Sequence, residues 1–299
     1  MTKIKLFKRF AFSLFILPVL LTAQEDKVLL QESPKVTRSV FHQLSLVKNE
    51  GKTILERFDL PRNYKRVTVE ERSFAQYLRN YPLRNPGSDV HLCNGRASDN
   101  QNSHCAVFDM TLKSSHQGSA QTILRLCSDY LYKFGRYKEI AFHLANGKVS
   151  RWSEWKKDFR LDLAGSLKKW TIFENPPDEK KCYDDYLKDL FINTDKNSLE
   201  IFESEAVTYD NVKIGDILLD IGNENEVYMV VDICINQKDY TKALLLATST
   251  SSPASDFYIV NNPKRTDNPW YYEEDMLLEI KTPDHTFRTD CWRKLTKKY

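Results

Sequence analysis

Residues 215–247 (GDILLDIGNENEVYMVVDICINQKDYTKALLLA) decide the fold of this 299-residue chain. Their apolar residues, mostly Val, Ile and Leu, form short unbroken runs separated by polar segments rich in Asn, Asp and Lys. Runs of this length and composition predict buried strands rather than helices. Five of them are predicted in the C-terminal part of the chain: 217–219, 227–235, 243–247, 257–260 and 276–280.

Helices are predicted upstream of this region. The clearest covers 118–134, where Ser119 provides a cap, apolar residues from Ile123 to Phe134 recur on one face, and Gly135 ends the helix. Three further helices are predicted at 73–79, 183–191 and 198–205. Helices that come mainly first, with strands concentrated later, predict an α+β fold rather than an alternating α/β one.

Two hairpins are predicted among these helices. Asn94-Gly95 and Asn146-Gly147 are the dipeptides that favour tight turns between antiparallel strands. The strands around them are predicted at 90–92 and 106–108, and at 139–144 and 149–152.

The first 23 residues have the three-part layout of a secretory signal. Basic residues precede the apolar run 10–21, and Ala23 offers a small residue for cleavage. The run is shorter than the ~20 residues that a membrane-spanning helix needs. We therefore expect an exported protein, periplasmic or secreted, with no membrane span once the signal is cleaved near Ala23.

A polar leader is predicted over 24–52 and a single α+β domain over 53–299. Pro176-Pro177 marks either an internal boundary or a surface loop.

The charge of the chain argues against a nucleic-acid partner. The whole chain carries +3, but the basic residues of 1–23 account for the surplus, and the remainder has 40 Lys and Arg against 41 Asp and Glu. No basic excess is left to attract a polyanion in general. Locally, basic residues near Trp152 and Trp155 indicate either a polyanion or sugar site, or a solvated face over core tryptophans.

Six cysteines lie beyond the signal. In an exported chain they allow one or two disulfides, with Cys93–Cys105 the most plausible pair, or they remain buried free thiols. They include no Cys-x-x-Cys spacing, and the two histidines near the Asn94-Gly95 turn, His91 and His104, lack a third ligand, so we expect neither a metal nor a cofactor.

Two ordered sets of short motifs resemble those of the domain-of-unknown-function 4846 family, secreted proteins found mostly in Bacteroidota. The resemblance spans roughly 55–295. The first set comprises 73–79 (SFAQYLR), Leu83, Asn94-Gly95, Asn100-Gln101, His104, Ala106-Val107, Asp109 and Tyr130-Leu131-Tyr132. The second comprises Gly215-Asp216-Ile217, Val230-Val231-Asp232, Leu245-Leu246-Ala247, Asn262-Pro263, Pro269-Trp270-Tyr271 and Thr282-Pro283.

The second set also resembles the barrel half of papain-like, NlpC-type cell-wall amidases. That resemblance implies N-terminal helices packed on a C-terminal antiparallel sheet or half-barrel, with a cysteine at a helix start facing a histidine at a strand start. The thiol needs both the helix end and the imidazole for its activation. At the corresponding positions this chain has Ser119 and Glu226.

A serine without an adjacent base is a poor nucleophile, and a carboxylate is a weak base for it. We therefore expect a degenerate, non-catalytic papain-like domain that binds peptide or glycan material of the cell envelope, such as peptidoglycan. The residues expected to line its cleft are Asn94, Asn100, Gln101, His104, Asp109 and Asp232.

Two alternatives stay open. One is an active cell-wall hydrolase with a rearranged site, in which His104 serves Ser119 or another hydroxyl. The other is a structural interaction protein of the envelope without an enclosed ligand cleft.

Overall fold

Nine strands form one antiparallel sheet in a computed structural model of the chain. The structure describes residues 45–157, 159–161, 167–169, 179–220, 226–297 and 299. The predicted signal, the leader as far as residue 44, and the Pro176-Pro177 boundary lie outside the described residues.

The helices and strands are numbered in chain order. The α-helices are α1 Ile54–Arg57, α2 Phe74–Arg79, α3 Ser119–Lys133, α4 Trp152–Trp155, α5 Glu179–Asn193 and α6 Lys196–Glu203. The strands are β1 Tyr64–Arg66, β2 His104–Val107, β3 Ala141–His143, β4 Val149–Arg151, β5 Phe159–Leu161, β6 Leu167–Lys169, β7 Ser204–Ala206, β8 Ile217–Leu219, β9 Val227–Asn236, β10 Lys242–Thr248, β11 Tyr258–Val260, β12 Tyr271–Tyr272, β13 Ile280–Lys281, β14 Thr286–Phe287 and β15 Trp292–Leu295. Short 3₁₀ helices occur at Gln101–Ser103, Tyr137–Glu139, Tyr209–Asn211 and Glu273–Met276.

The order of the main sheet is β2-β11-β10-β9-β8-β15-β7, with β1 also paired to β9 and β12 also paired to β10. Every pairing in it is antiparallel. The long strands β9 and β10 lie at its centre and are buried along most of their length. The predicted α+β class with a large C-terminal antiparallel sheet is therefore confirmed.

Both faces of the sheet are covered by apolar side chains. Val227, Met229 and Val231 of β9 belong to the core beneath the helices, whereas Tyr228 and Val230 belong to a second core on the opposite face. A β-bulge interrupts this alternation, because Leu245 pairs with Asp232 while Leu246 pairs with Val230. A strand buried on both faces reads as a continuous apolar run, which explains the pattern of 227–235.

Helix α3 is the main helix of the first core. Its residues Ile123, Leu126 and Leu131 are at most 1% exposed, and burying each such side chain contributes about 1.5–3 kcal/mol. Its first residue contacts the start of β9, so the helix fixes that end of the strand. The predicted helix over 73–79 is also confirmed as α2, with Ser73 accepting a hydrogen bond from the Gln76 amide as its N-cap.

Four local predictions differ from the structure. The predicted hairpin of 90–92 with 106–108 is wrong, because β2 pairs with β11 and His91 bridges Ala97 around the Asn94-Gly95 turn. The segment 276–280 is mostly the end of a 3₁₀ helix and a turn, with a strand only at Ile280–Lys281. The helix α3 is capped by Gly118, and Ser119 is its first helical residue. The packed region also starts before residue 53, because the Leu46 amide donates to Asp267 O and Leu46 O accepts from the Asp59 amide.

Of the two alternatives for the cysteines, the structure has free thiols at all six positions, so Cys93 and Cys105 form no disulfide. Cys93 is exposed, whereas Cys105 is largely covered and lies on β2. Among the residues that the structure describes, no helix is both long and apolar enough to cross a membrane.

Candidate functional site

The start of α3 and the start of β9 meet at one hydrogen bond. The Val227 amide donates to Ser119 Oγ at 2.9 Å. Ser119 is completely buried. The two positions at which the papain-like resemblance expects a nucleophile and a base, Ser119 and Glu226, are therefore neighbours in the fold.

Ser251, just beyond the end of β10, joins these two residues. Its Oγ accepts from the Ser119 amide at 3.3 Å and lies 3.2 Å from Ser119 Oγ. The same hydroxyl donates to Glu226 Oε2 at 3.3 Å, and the Ser251 amide donates to Glu226 Oε1 at 3.0 Å. We call Ser119, Glu226 and Ser251 the Ser–Glu–Ser cluster.

Glu226 is partly buried in this cluster rather than fully solvated. Burial raises the pKa of its carboxyl, while the Ser251 amide, the charge of nearby His285 and the two serine hydroxyls act in the opposite direction. Its hydrogen bonds from Ser251 place a carboxylate beside the positive N-terminal end of α3, where an anion is stabilised by the helix dipole.

Gly118 is required at the helix start by the close approach of Ser251. A Cβ atom at Gly118 would lie 2.8 Å from Ser251 Oγ and 2.9 Å from Ser251 Cα. Because both atoms are this near, any larger residue would push Ser251 away from the helix end. The glycine thus allows the loop after β10 to cover the first amides of α3.

The burial and the hydrogen bonds of Ser119 argue against a role as a nucleophile. The Ser119 hydroxyl accepts from the Val227 amide, contacts the Ser251 hydroxyl and bonds to the Glu226 side chain, and a buried side chain cannot be reached by a substrate carbonyl without movement of its neighbours. The Ser119 amide, which would be an oxyanion donor at a helix start, donates to Ser251 instead. The cluster provides a hydrogen-bond acceptor for a free amide at the start of α3 and links this helix to β9 and β10.

His104 lies away from this cluster. Its Nε2 donates to Ser88 O at 3.0 Å, and its ring packs against Tyr258, which belongs to the core on the face opposite α3. Two strands, β11 and β10, separate β2 from β9 in the sheet, so three strand intervals of about 4.8 Å lie between them. The structure therefore does not bring His104 together with Ser119.

The other residues expected to line a cleft have different contacts. Asn94 accepts from the Arg96 amide within its turn, and the Gln101 side chain bonds to the backbone of Val90 and Ser98. These two amides hold their own loop. Asp109 is exposed after β2.

Asn100 is the exception among the predicted amides. It donates to Asp284 at 2.5 Å and so links the 88–104 loop to the β13–β14 turn. The charges of Asp284 and Glu226 both act to raise the pKa of Tyr258, although burial is the larger cause. Asn100 is exposed and links two surface loops rather than lining a cleft.

Asp232 is completely buried and does not face a cleft. Arg79 Nε donates to its Oδ1 and Arg66 Nε to its Oδ2, both at 2.7 Å. Arg79 also donates to Val67 O, and Arg66 to Phe58 O. The β-bulge directs this carboxylate toward α2, where it holds the N-terminal segment on the sheet.

Sequence reasoning missed Ser251 and the hydroxyl groups around it. Thr248 Oγ1 donates to Val227 O at 2.8 Å, and Ser249 Oγ lies 3.4 Å from Thr122 Oγ1 of α3. The signal was present, because residues 248–252 read TSTSS directly after an apolar strand. Such a hydroxyl run at a strand end indicates a place where backbone groups need side-chain partners.

The structure also decides between the two interpretations of the Trp152 and Trp155 region. Both indoles are buried, at 1% and 7% exposure, and pack against each other and against Tyr186. Their rings are therefore core residues rather than an exposed stacking surface. Among the described residues, no group of three or more His, Cys, Asp or Glu side chains is arranged to hold a metal ion.

The fold and the cluster define an α+β domain whose central antiparallel sheet is joined to a helix start by side-chain hydroxyls. The chain matches the model of the family described as domain of unknown function (4846) over residues 54–294, and it belongs to that family. Comparison with curated proteins and with solved structures found no match.

Proposed function

We propose that this protein is an exported, non-catalytic domain of papain-like ancestry that binds peptide or glycan material of the cell envelope. In this proposal the Ser–Glu–Ser cluster occupies the ancestral catalytic centre. The exchange of thiol and imidazole for hydroxyl and carboxylate converts that centre into a structural link.

One observation carries the loss of catalysis: Ser119 is fully buried and its hydroxyl accepts the Val227 amide. A serine nucleophile needs a base that removes its proton and a free approach for the substrate. Here the neighbouring base is the Glu226 carboxylate, which bonds to both serine hydroxyls and is a weak general base for an alcohol.

The papain-like ancestry is supported by the contact between a helix start and a strand start. A papain-like centre joins these two kinds of element, and α3 and β9 meet in this way across the central sheet. Export is supported by the signal-like residues 1–23, and the resemblance to the domain-of-unknown-function 4846 family suggests an origin in Bacteroidota.

Binding and turnover are tested together with purified protein and soluble peptidoglycan fragments. We expect retention of fragments without release of new products, and equal retention by Ser119→Ala. The exposed Ser115→Ala, four residues away, is the matched control. Turnover that stops in Ser119→Ala but persists in Ser115→Ala would overturn the proposal.

Export has a separate test. N-terminal sequencing of the protein recovered from the periplasm or the medium should begin near residue 24. Recovery of the chain with residues 1–23 intact in the cytoplasmic fraction alone would contradict export without bearing on the lost catalysis.

A further inference from the structure

A pocket of about 750 Å³ lies between the start of α2, the segment from β7 to β8 and the residues from Lys294 onward. It shares no residue with the Ser–Glu–Ser cluster. Its volume falls within the range of about 300–1,000 Å³ that small-ligand pockets have. Its wall contains both charged and aliphatic side chains, so a fitting ligand has to offer groups of both kinds.

Asp216 is the buried charge of this wall, with 8% of its surface exposed. Its Oδ2 accepts from the Lys213 amide at 2.7 Å, whereas its Oδ1 accepts no hydrogen bond within the part of the chain that the structure describes. Burial raises the pKa of the carboxyl to about 6, although the Lys213 amide and the charges of Lys213, Lys294 and Lys242 act in the opposite direction. The surroundings therefore compensate only in part for the burial of this carboxylate.

Lys213 supplies the complementary charge from the same turn. The Asp216 amide donates to Lys213 O at 3.1 Å, which closes the turn. Gly215 in this turn has φ +97°, and a Cβ atom there would lie 3.0 Å from Phe74 Cδ1, so glycine lets the turn pack against α2. The Gly215 amide donates to Val230 O, and the Val230 amide donates to Asp216 O, both at 2.8 Å. The backbone that carries both charges is therefore fixed to the central sheet.

The other charges of the wall have partners. Lys294 Nζ lies 3.0 Å from Glu205 Oε1, and Lys297 Nζ lies 3.6 Å from Glu203 Oε2. Among the described residues, the ammonium and the carboxylate of the turn form no ion pair with each other or with another side chain. Two opposite charges that line one pocket without pairing match a ligand that has both an ammonium and a carboxylate.

Aliphatic side chains form another part of the wall. Ala75, Val207, Ile214 and Leu295 line the pocket, and each of them is partly exposed. Covering such surface with an apolar group of a ligand contributes about 25 cal/mol for each Å² removed from water. An aliphatic amino acid carries an ammonium, a carboxylate and an apolar side chain on one carbon atom.

We propose that this pocket binds a zwitterionic ligand with an aliphatic side chain, either a free amino acid or a dipeptide. The Asp216 carboxylate accepts the ammonium of the ligand, Lys213 binds its carboxylate, and the aliphatic wall covers its side chain. This inference goes beyond the proposed binding of envelope polymers, because it concerns a small ligand at a different place in the fold. Either proposal can fail without the other.

The test is calorimetric titration of the purified protein with L-leucine and with L-leucyl-L-leucine at neutral pH. Each zwitterion is compared with its N-acetyl derivative, which lacks the ammonium, and with its C-terminal amide, which lacks the carboxylate. We expect at least one zwitterion to bind, which distinguishes the amino acid from the dipeptide. Both of its derivatives should bind more weakly by about tenfold or more, the effect of losing one charged contact.

Variants test the position of the site. Asp216→Asn keeps an oxygen for the Lys213 amide and should fold. It should weaken binding of the zwitterion by about tenfold, and N-acetylation of the ligand should then cause no further loss, because the ammonium has already lost its charged acceptor. Lys213→Gln, a change at an exposed residue, should have the same effect with respect to the C-terminal amide. Lys238→Gln, exposed and outside the pocket, is the matched control and should leave affinity unchanged.

A merely structural role of Asp216 would change stability but would not remove the discrimination between a ligand and its N-acetyl derivative. Failure of both zwitterions to bind, equal affinity for a zwitterion and its derivatives, or full affinity in either Asp216→Asn or Lys213→Gln would overturn this inference. The ligand derivatives test the assignment in the unaltered protein, so the result does not depend on the folding of a variant.

Discussion

The hydroxyl of Ser119 accepts the backbone amide of Val227 at 2.9 Å, across 108 residues of sequence. This contact joins the first turn of α3, a 15-residue helix of the first core, to the first residue of the central strand β9. A helix start leaves amides without intrahelical partners, and a strand start leaves others. The buried Ser119 hydroxyl accepts the strand amide, and Ser251 Oγ accepts the amide of Ser119 at the helix start.

Ser119→Ala should therefore lower the free energy of unfolding. The Val227 amide would lose its acceptor while it stays buried, which costs about 1–3 kcal/mol. Urea denaturation at neutral pH measures the change. Ser115→Ala, exposed in the preceding loop, should stay within about 0.5 kcal/mol of the unaltered protein. A loss as large in Ser115→Ala as in Ser119→Ala would contradict the role of this contact.

Asp232→Asn should destabilise the protein more strongly. The substitution leaves Arg66 and Arg79 without the carboxylate that both of them bind, in a place where Asp232 itself is completely buried. Removing one partner from a buried ion pair costs about 3–5 kcal/mol. The measurement is again the denaturation midpoint and slope in urea.

The exposed Asp89→Asn is the control for the loss of one negative charge. It should leave the midpoint nearly unchanged, because surface substitutions stay within about 0.5 kcal/mol. An equal shift for both variants would mean that net charge, rather than the buried contact with two arginines, sets the stability.

Much of the fold could be predicted from the sequence. Strands β8, β9 and β10 coincide with the predicted apolar runs 217–219, 227–235 and 243–247. A central strand is buried on both faces, so nearly all of its residues are apolar and the run is visible in the sequence. The strand order could not be predicted. The pairing of β8 with both β9 and β15 depends on long-range packing that no local pattern encodes.

The candidate site was predictable only in part. Ser119 and Glu226 were identified through the family resemblance, and the fold brings them together. Ser251 was not identified, since its role arises from the approach of a loop to Gly118, a tertiary event. Asp232 was expected in a cleft, but it is buried beside a β-bulge and binds Arg66 and Arg79, and a bulge is not visible in composition.

Stability should depend on pH through Asp216. Burial raises the pKa of its carboxyl to about 6, from an ordinary value of 3.8. The folded state then binds more protons than the unfolded state between about pH 4 and 6, so stability falls as the pH rises through this range. The loss is about 3 kcal/mol, at 1.36 kcal/mol for each unit of pKa difference.

Asp216→Asn removes this titration but keeps an oxygen that can accept from the Lys213 amide. The variant should match the unaltered protein at pH 4 and exceed it in stability at pH 7. Glu226→Gln should likewise gain stability relative to the unaltered protein as the pH rises, because burial also raises the pKa of Glu226. A difference between Asp216→Asn and the unaltered protein that stays constant from pH 4 to 7 would exclude the titration of Asp216.

The free thiols lead to a prediction about chemical reactivity. Burial raises the pKa of Cys105 and of Cys127 to about 12, and thiolates rather than thiols react with iodoacetamide, so both should resist alkylation at pH 8 in the folded protein. Cys93 is exposed and should react first, as site-resolved mass spectrometry can measure.

Cys93→Ser should abolish the rapid reaction, and the unreduced protein should yield six thiols after denaturation. A yield of four would instead mean that one disulfide forms in the protein, and resistance of Cys93 would mean that its side chain is covered.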